Sequence, residues 1–268
     1  MELNDTVFKY RNIQASNDLI IPIILNSSVR HDIAFDNFDA NISRDVEWLS
    51  ETPVHEKEVI ICGTGSSLND CYAEIKQKQT IGTIVFSCNA SAKLLRSNNI
   101  EVDYQIGLDP SEAMLDYFID DAKNYLWASV VSPKLFEMSV NPVLWHPYLD
   151  WVIEKTEEIK KDFVYIGGGI SVVMSALCIA YTMGYRKIHL YGADSSYVGN
   201  GYNATGGEVP ESNLPVIVEN NGKSYLTTYP MKEQVRVFLM IEKELKKQGC
   251  NIQVYGEGLL QDVFKQKA

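Results

Sequence analysis

The chain has 268 residues, 46% hydrophobic and 22% charged, the balance of an ordinary folded domain with a core. This excludes a disordered, collagen-like or low-complexity chain, and apolar runs such as Leu19-Ile20-Ile21-Pro22-Ile23-Ile24-Leu25 fall far short of the roughly 20 residues a membrane-spanning helix needs. With 24 Lys and Arg against 35 Asp and Glu, the formal charge of −11 opposes a broad nucleic-acid or anionic-membrane face.

A small phosphate remains compatible with that charge, because backbone amides at a helix start can hold an anion without basic side chains. The opening residues Met1 to Asp5 lack the basic stretch of a secretory signal. The five cysteines, Cys62, Cys71, Cys88, Cys178 and Cys250, are odd in number and irregularly spaced, with no Cys-x-x-Cys pair. Neither a disulfide framework nor a zinc site is expected. Buried, reduced thiols and a cytoplasmic location are.

In chain order, residues 1–56 are rich in Asn, Asp and Ser around short apolar patches, and they end near Pro53-Val54-His55. They read as an N-terminal extension or small helical lobe, or as a segment wrapped on the main domain. From residue 57 the pattern becomes regular. Strand-like runs occur at Val59–Cys62, Thr83–Phe86, Tyr104–Leu108, Tyr125–Val131, Lys187–Tyr191 and Ile252–Tyr255. Helical candidates lie at Ala90–Arg96, Ser111–Asp121, Ile170–Met183 and Met231–Gln248. Short strands apolar on both faces, separated by helices, predict a parallel sheet covered on both sides. The expected fold is α/β, a Rossmann-like, doubly wound, mainly parallel sheet over residues 57–268. Within it, residues 195–230 turn to Gly, Asn, Ser and Thr. Two strand-like runs flank Asn220-Asn221-Gly222, which predicts a hairpin insertion, either a lid or plain decoration.

Ligands of an open parallel sheet collect at the carboxyl ends of its strands, so the residues there carry the functional argument. Gly63-Thr64-Gly65-Ser66-Ser67-Leu68 follows the first core strand and offers close backbone approach to a phosphate or ribose. It departs from the dinucleotide fingerprint at Leu68 and lacks the Gly-Lys-Ser/Thr of a Walker loop, so a tight strand–helix turn is the competing reading. Asn89, after the next strand, can read a base or ribose through its amide, or cap the helix that follows. Asp109, in Leu108-Asp109-Pro110-Ser111, can take a substrate hydroxyl or a metal, or belong to a turn.

Gly167-Gly168-Gly169-Ile170-Ser171 is the strongest signal. Three glycines open a helix that is apolar almost all round, so several helix-end amides face outward from a buried support. If the glycines only turn the chain, Gly168→Ala should cost about 1 kcal/mol of stability, or more if φ is positive there; if they hold a phosphate, a methyl there should also obstruct the anion. Asp194 and Ser195 end the strand after that helix. Of the four histidines, His189 reads as a packed strand residue, and His146 as a base candidate or, more simply, a surface residue. No metal-ligand spacing and no Gly-x-Ser-x-Gly elbow occurs.

Taken in order, Gly63-x-Gly65-x-Ser67-Leu68, Cys88-Asn89, Leu108-Asp109-Pro110, Gly167-Gly168-Gly169 and Leu190-Tyr191-Gly192-Ala193-Asp194-Ser195 resemble the MptE-like family. That family comprises archaeal 6-hydroxymethylpterin diphosphokinases and the central domain of bacterial motility accessory factors. The layout is also similar to that of bacterial CMP-sialic-acid sialyltransferases, and short members of this kind are carried by phages and prophages. The resemblance covers about residues 57–260. It implies a transferase with a nucleotide donor bound by Gly63, Gly65, Ser66, Ser67, Asn89, Gly167, Gly168, Gly169, Ser171 and Ser195. Asp194 or Asp109 would act on an acceptor that the sequence does not identify.

A nucleotide-sugar donor, CMP-sugar-like, is the first reading. An ATP-dependent diphosphokinase requiring Mg²⁺ is the alternative, and a non-catalytic nucleotide-binding module of phage origin a second. The chain departs from the pterin kinases where Asp109 precedes Pro110-Ser111 in place of paired aspartates. It departs from the sialyltransferases in having no histidine after His189. No resident cofactor is otherwise implied, and a homo-oligomer is left open.

Overall fold

The computed structural model describes residues 10–14, 20–24, 31–157, 159, 163–168, 171–197 and 215–266. An N-terminal hairpin, β1 (Tyr10–Gln14) and β2 (Ile20–Ile24), precedes α1 (His31–Asn41) and β3 (Glu47–Trp48). The core then runs β4 (Glu58–Cys62), α2 (Tyr72–Thr80), β5 (Ile84–Cys88), α3 (Ser91–Ser97), β6 (Tyr104–Gly107) and β7 (Asn124–Ala128). Next come α4 (Pro133–Met138), β8 (Pro142–Pro147), α5 (Asp150–Glu157), β9 (Tyr165–Ile166), α6 (Val172–Thr182) and β10 (Lys187–Tyr191). A second hairpin, β11 (Pro215–Asn220) and β12 (Lys223–Thr228), leads into α7 (Tyr229–Lys247), β13 (Asn251–Val254) and α8 (Leu259–Lys265).

Nine strands form one sheet in the order β13-β10-β4-β5-β6-β7-β8-β3, with β9 also paired to β8. Every pairing in it is parallel. The expected Rossmann-like α/β fold is therefore the observed one. The chain starts at β4, winds through β5 to β8, then returns to place β10 on the other side of β4. By the right-handed crossover rule, α2 and α3 belong to one face of the sheet and α6 and α7 to the other. The topological switch point falls between β4 and β10, so a crevice is expected beyond their carboxyl ends.

Burial explains why these segments became strands. Val59 to Cys62 and Ile188 to Tyr191 are buried along their whole length, as a strand covered on both faces must be. All 11 residues of α6 are buried, and the helix packs on β4, β5, β6 and α7. Truncating Leu177 or Ile179 in its middle to alanine should cost about 2–5 kcal/mol.

Residues 31–56 are tied to the main sheet. Ala34 and Phe38 of α1 join the core, and β3 pairs with β8. One predicted element takes another form, and a strand that was not predicted is present. Ser111–Asp121 contains a 3₁₀ helix at Glu112–Tyr117 in place of an α-helix. The strand β8, bounded by Pro142 and Pro147, was not legible at all. The second hairpin turns on Asn221 and Gly222, with φ of 49° and 74°, and pairs Asn220 with Lys223. Both turn residues being left-handed is what an Asn-Gly two-residue loop supplies. All five cysteines are buried free thiols.

Candidate functional site

Parallel strands bring the sequence motifs to one edge. Gly63–Ser67 follows β4, Asn89 follows β5, Asp109 follows β6, and Asp194 and Ser195 follow β10. The amino end of α6 arrives at the same edge. A Cβ placed on Gly63 would stand 3.1 Å from Val173 Cγ2, and the Cys88 thiol lies 4.0 Å from the Val172 carbonyl oxygen. Gly169 and residues 198–214 of the insertion expected as a lid or decoration lie outside the described residues.

The glycine loop after β4 is folded tightly against β10. Gly63 N–H donates to the Tyr191 carbonyl at 2.9 Å, and Gly65 N–H to the Gly192 carbonyl at 2.7 Å. Ser67 N–H donates to Asp194 Oδ2 at 2.8 Å, and Leu68 N–H to the Gly65 carbonyl at 3.0 Å. Thr64 and Ser66 therefore carry the loop amides that have no acceptor among the described residues. A Cβ on Gly65 would lie 2.5 Å from Asp194 Cγ, so only glycine lets the two loops meet.

Asp194 is the clasp of this arrangement. It is 1% exposed. Besides the Ser67 amide, its carboxylate accepts from Ser67 Oγ at 2.5 Å, Gln261 Nε2 at 3.0 Å and, weakly, Ser66 Oγ at 3.4 Å. Burial pushes its carboxyl above the ordinary range, while the bonds from Ser67, Gln261 and Ser66 pull the other way. All four of these donors belong to the protein. Asp109 differs: it is exposed, and its Oδ1 accepts the Ser111 amide at 2.8 Å in a tight turn. The strands carrying Asp109 and Asp194 are three positions apart, roughly 14 Å at the usual inter-strand spacing.

Two residues flanking β4 hold left-handed backbone without being glycine, Asn89 at φ 51° and Ser195 at φ 52°. Their Asn89 Oδ1 and Ser195 Oγ atoms are buried and have no partner among the described residues. Strain combined with unsatisfied polar atoms is more usual at binding sites than elsewhere. Asn89 does not cap α3, whose N-cap is Ala90 without a side-chain bond. Ser91 ties the two strand ends instead, accepting the Cys88 amide at 2.9 Å and donating to the Cys62 carbonyl at 2.8 Å.

At α6, Ser171 is the N-cap and accepts the Met174 amide at 3.3 Å. The amides of Val172 and Val173, the first two of the helix, find no acceptor among the described residues, and the positive end of the helix dipole sits with them. Gly168 has φ +93°, and a Cβ there would meet the Met174 carbonyl carbon at 2.5 Å. A methyl at residue 168 would thus strike the first turn of α6, so the larger cost expected at a positive φ applies.

The expected surface placement of His146 is also corrected. It is 1% exposed, with Nδ1 3.0 Å from Ser129 Oγ and the rings of Phe38, Trp48, Phe163 and Tyr165 within 4.8–5.9 Å of its own. Burial pulls its pKa down to about 3. His189 is hydrogen-bonded inside its strand, to Glu58 at 2.8 Å and to the Tyr255 phenol at 2.9 Å.

Several supporting residues escaped the sequence reading. Asn37 Nδ2 donates to the carbonyls of Pro110 and Val130, both at 2.9 Å. Asn41 Nδ2 donates to those of Ser129 at 3.1 Å and Val131 at 2.8 Å. Together they pin the loops after β6 and β7 to α1. Their spacing with Ala34 and Phe38, i, i+3, i+4 and i+7, is one helix face, and that periodicity was the available signal. At the opposite edge of the sheet lies a cleft of about 690 Å³ lined by Arg96, Glu101, Asp121 and Lys123 among others. Its charges are paired within the protein, Arg96 with Asp121 at 3.0 Å and Lys123 with Glu101 at 3.0 Å.

A family model described as 6-hydroxymethylpterin diphosphokinase MptE-like matches residues 32–200. No curated protein matches the sequence. Among solved structures, the MAf glycosyltransferase from Magnetospirillum magneticum AMB-1 is similar at a TM-score of 0.67 and 16% identity, over 87% of this chain. The match spans 38% of that enzyme, just over a third of its length. A mammalian sialyltransferase in complex with Gal-beta-1-3GalNAc-ortho-nitrophenol gives a TM-score of 0.42 at 9% identity, covering 92% of this chain and 93% of its own. A second mammalian sialyltransferase structure gives 0.41 at 10%, covering 84% and 79%.

Proposed function

The chain belongs to the MptE-like family, and from that premise we propose that it is a transferase using a nucleotide-sugar donor, of the CMP-sugar type. One observation carries the reading: the glycine loop after β4 and the amino end of α6 meet at the switch point, with Asn89 and Ser195 on either side holding unpaired polar atoms. The likeness to the MAf glycosyltransferase supports the fold of such an enzyme.

In this reading the Val172 and Val173 amides and the Ser171 hydroxyl receive the donor phosphate, and the Thr64 and Ser66 amides lie against the same crevice. An acceptor hydroxyl attacks the anomeric carbon as its bond to the phosphate oxygen breaks. The electron pair leaves with the nucleotide, whose new charge the helix-end amides stabilise. The acceptor proton passes to Asp109, an exposed carboxylate of this edge. Asp194 keeps the glycine loop in place and does not touch the reacting atoms.

The diphosphokinase alternative needs Mg²⁺ between carboxylates and phosphates. Among the described residues the strand-end acids do not fit it, since Asp194 is taken up by Ser66, Ser67 and Gln261, and Asp109 stands three strands away. Thermal-shift measurements with CMP, CDP, UDP, GDP and ATP, each with and without Mg²⁺, test the choice. Metal-independent stabilisation by CMP supports the proposal. Stabilisation by ATP only with Mg²⁺ would overturn it, and so would no response to any nucleotide.

A further inference from the structure

Gln261, on α8, is fully buried and far in sequence from every motif of the crevice. Its Nε2 donates to two acceptors, Asp194 Oδ1 at 3.0 Å and the Tyr255 carbonyl at 3.1 Å. Those partners fix the orientation of the amide, because the reverse would aim its oxygen at a carboxylate and a carbonyl. Tyr255 is itself held on three sides. Its N–H donates to the Leu190 carbonyl at 2.9 Å, its phenol meets His189 Nδ1, and its ring stacks on Tyr191 at 4.3 Å. The loop between Tyr255 and α8 is cut to fit: Gly256 backs onto Ser67 with no room for a Cβ, and a Cβ on Gly258 would lie 2.7 Å from both Asp194 Cβ and Gln261 Oε1.

The carboxylate of Asp194 is therefore gripped from α8 on one side while it grips the glycine loop on the other. We propose that Gln261 is a positioning residue for the nucleotide crevice: its amide holds Asp194 in the orientation that captures the Ser67 amide and hydroxyl, and so sets the Gly63–Ser67 loop. Only the consequence for ligand affinity rests on the nucleotide reading; the effect on the loop stands apart from it.

Two variants test this in the full chain. Gln261→Leu removes the donor at similar volume, and Gln261→Glu sets a second carboxyl against Asp194. Two carboxyls at that distance must share one proton to stay together. The readouts are amide hydrogen exchange at Ser67, compared with wild type at the same pH, and CMP affinity by calorimetry, both at pH 5.5 and pH 8. Gln261→Leu should expose the Ser67 amide roughly tenfold or more at both pH values, the effect of losing one bond to a charged group. Gln261→Glu should match wild type at pH 5.5 and resemble the leucine variant at pH 8.

Titratable groups on the elements packed around this carboxylate include the Cys71 thiol, which burial pushes up to about 11 with Glu74 and Asp70 adding to the effect. They also include Glu257 between Gly256 and Gly258, Asp262 beside Gln261 on α8, and, beyond Tyr255, His189 with Glu58. Wild type at the same two pH values carries their contribution. A leucine variant with unchanged Ser67 exchange would overturn the inference, as would a glutamate variant indifferent to pH. A residue that only packed α8 would lower the melting temperature of both variants without a pH-dependent difference. Should Gln261→Leu not fold, the glutamate variant decides alone. If the exchange pattern holds while wild type binds no nucleotide, the positioning role stands and the nucleotide reading falls.

Discussion

His146 offers the sharpest quantitative test of the packing. Its imidazole is enclosed by Phe38, Trp48, Phe163 and Tyr165, and Nε2 has no partner among the described residues, so a second proton would gain no acceptor there. The folded pKa is about 3, against about 6.5 for an exposed histidine in the unfolded chain. Between those values the unfolded state holds a proton that the folded state refuses, so stability is full above pH 6.5 and falls as pH drops toward 3. The slope is about 1.4 kcal/mol per pH unit, which makes the contribution lost by pH 5 about 2 kcal/mol. Urea unfolding of wild type and His146→Gln at pH 7.5 and pH 5 isolates the effect, because the other three histidines cancel in the comparison. Wild type should lose about 2 kcal/mol more than the variant over that interval. His146→Phe, which suits the aromatic surroundings, serves as the second reference. Equal losses in wild type and both variants would refute the reasoning.

Gly65→Ala should lower stability by about 1–3 kcal/mol, because the new methyl overlaps the Asp194 carboxyl; melting temperature reads the loss, and CMP titration should show binding gone. Gly222→Ala, unlike Gly65→Ala, meets a positive φ but has open space around its Cβ, so a cost of about 1 kcal/mol with unchanged nucleotide binding is expected. Ser171→Ala should cost about 1 kcal/mol as a lost cap, and calorimetry should show a larger loss in CMP affinity if the hydroxyl meets the phosphate. Asn41→Leu breaks two buried bonds to the Ser129 and Val131 carbonyls. A loss of about 2 kcal/mol in chemical denaturation is expected there, since each orphaned carbonyl carries its desolvation cost.

The alternation of buried strands with helices, the hairpin at Asn221-Gly222 and the crowding of small polar residues at strand ends were legible in the sequence. Each leaves a local signature: uninterrupted apolar runs for strands covered on both faces, Asn-Gly for a left-handed turn, glycine where backbone must approach backbone. What the residues at those ends do was not legible, because that depends on partners distant in the chain. Asp194 ends a strand just as a catalytic carboxylate would, yet Ser67 and Gln261, 127 and 67 residues away, consume its oxygens. Gly168 precedes a helix as a phosphate loop would, yet its missing side chain makes room for that helix's own first turn. His146, between Trp145 and Pro147, looks exposed until Trp48 and Phe163 close over it. The sequence determined which backbone conformations were available at each motif. Only tertiary structure decided which polar atoms were spent inside the protein and which were left over, because hydrogen bonds at a sheet edge are settled by strand order, and strand order is a property of the whole chain.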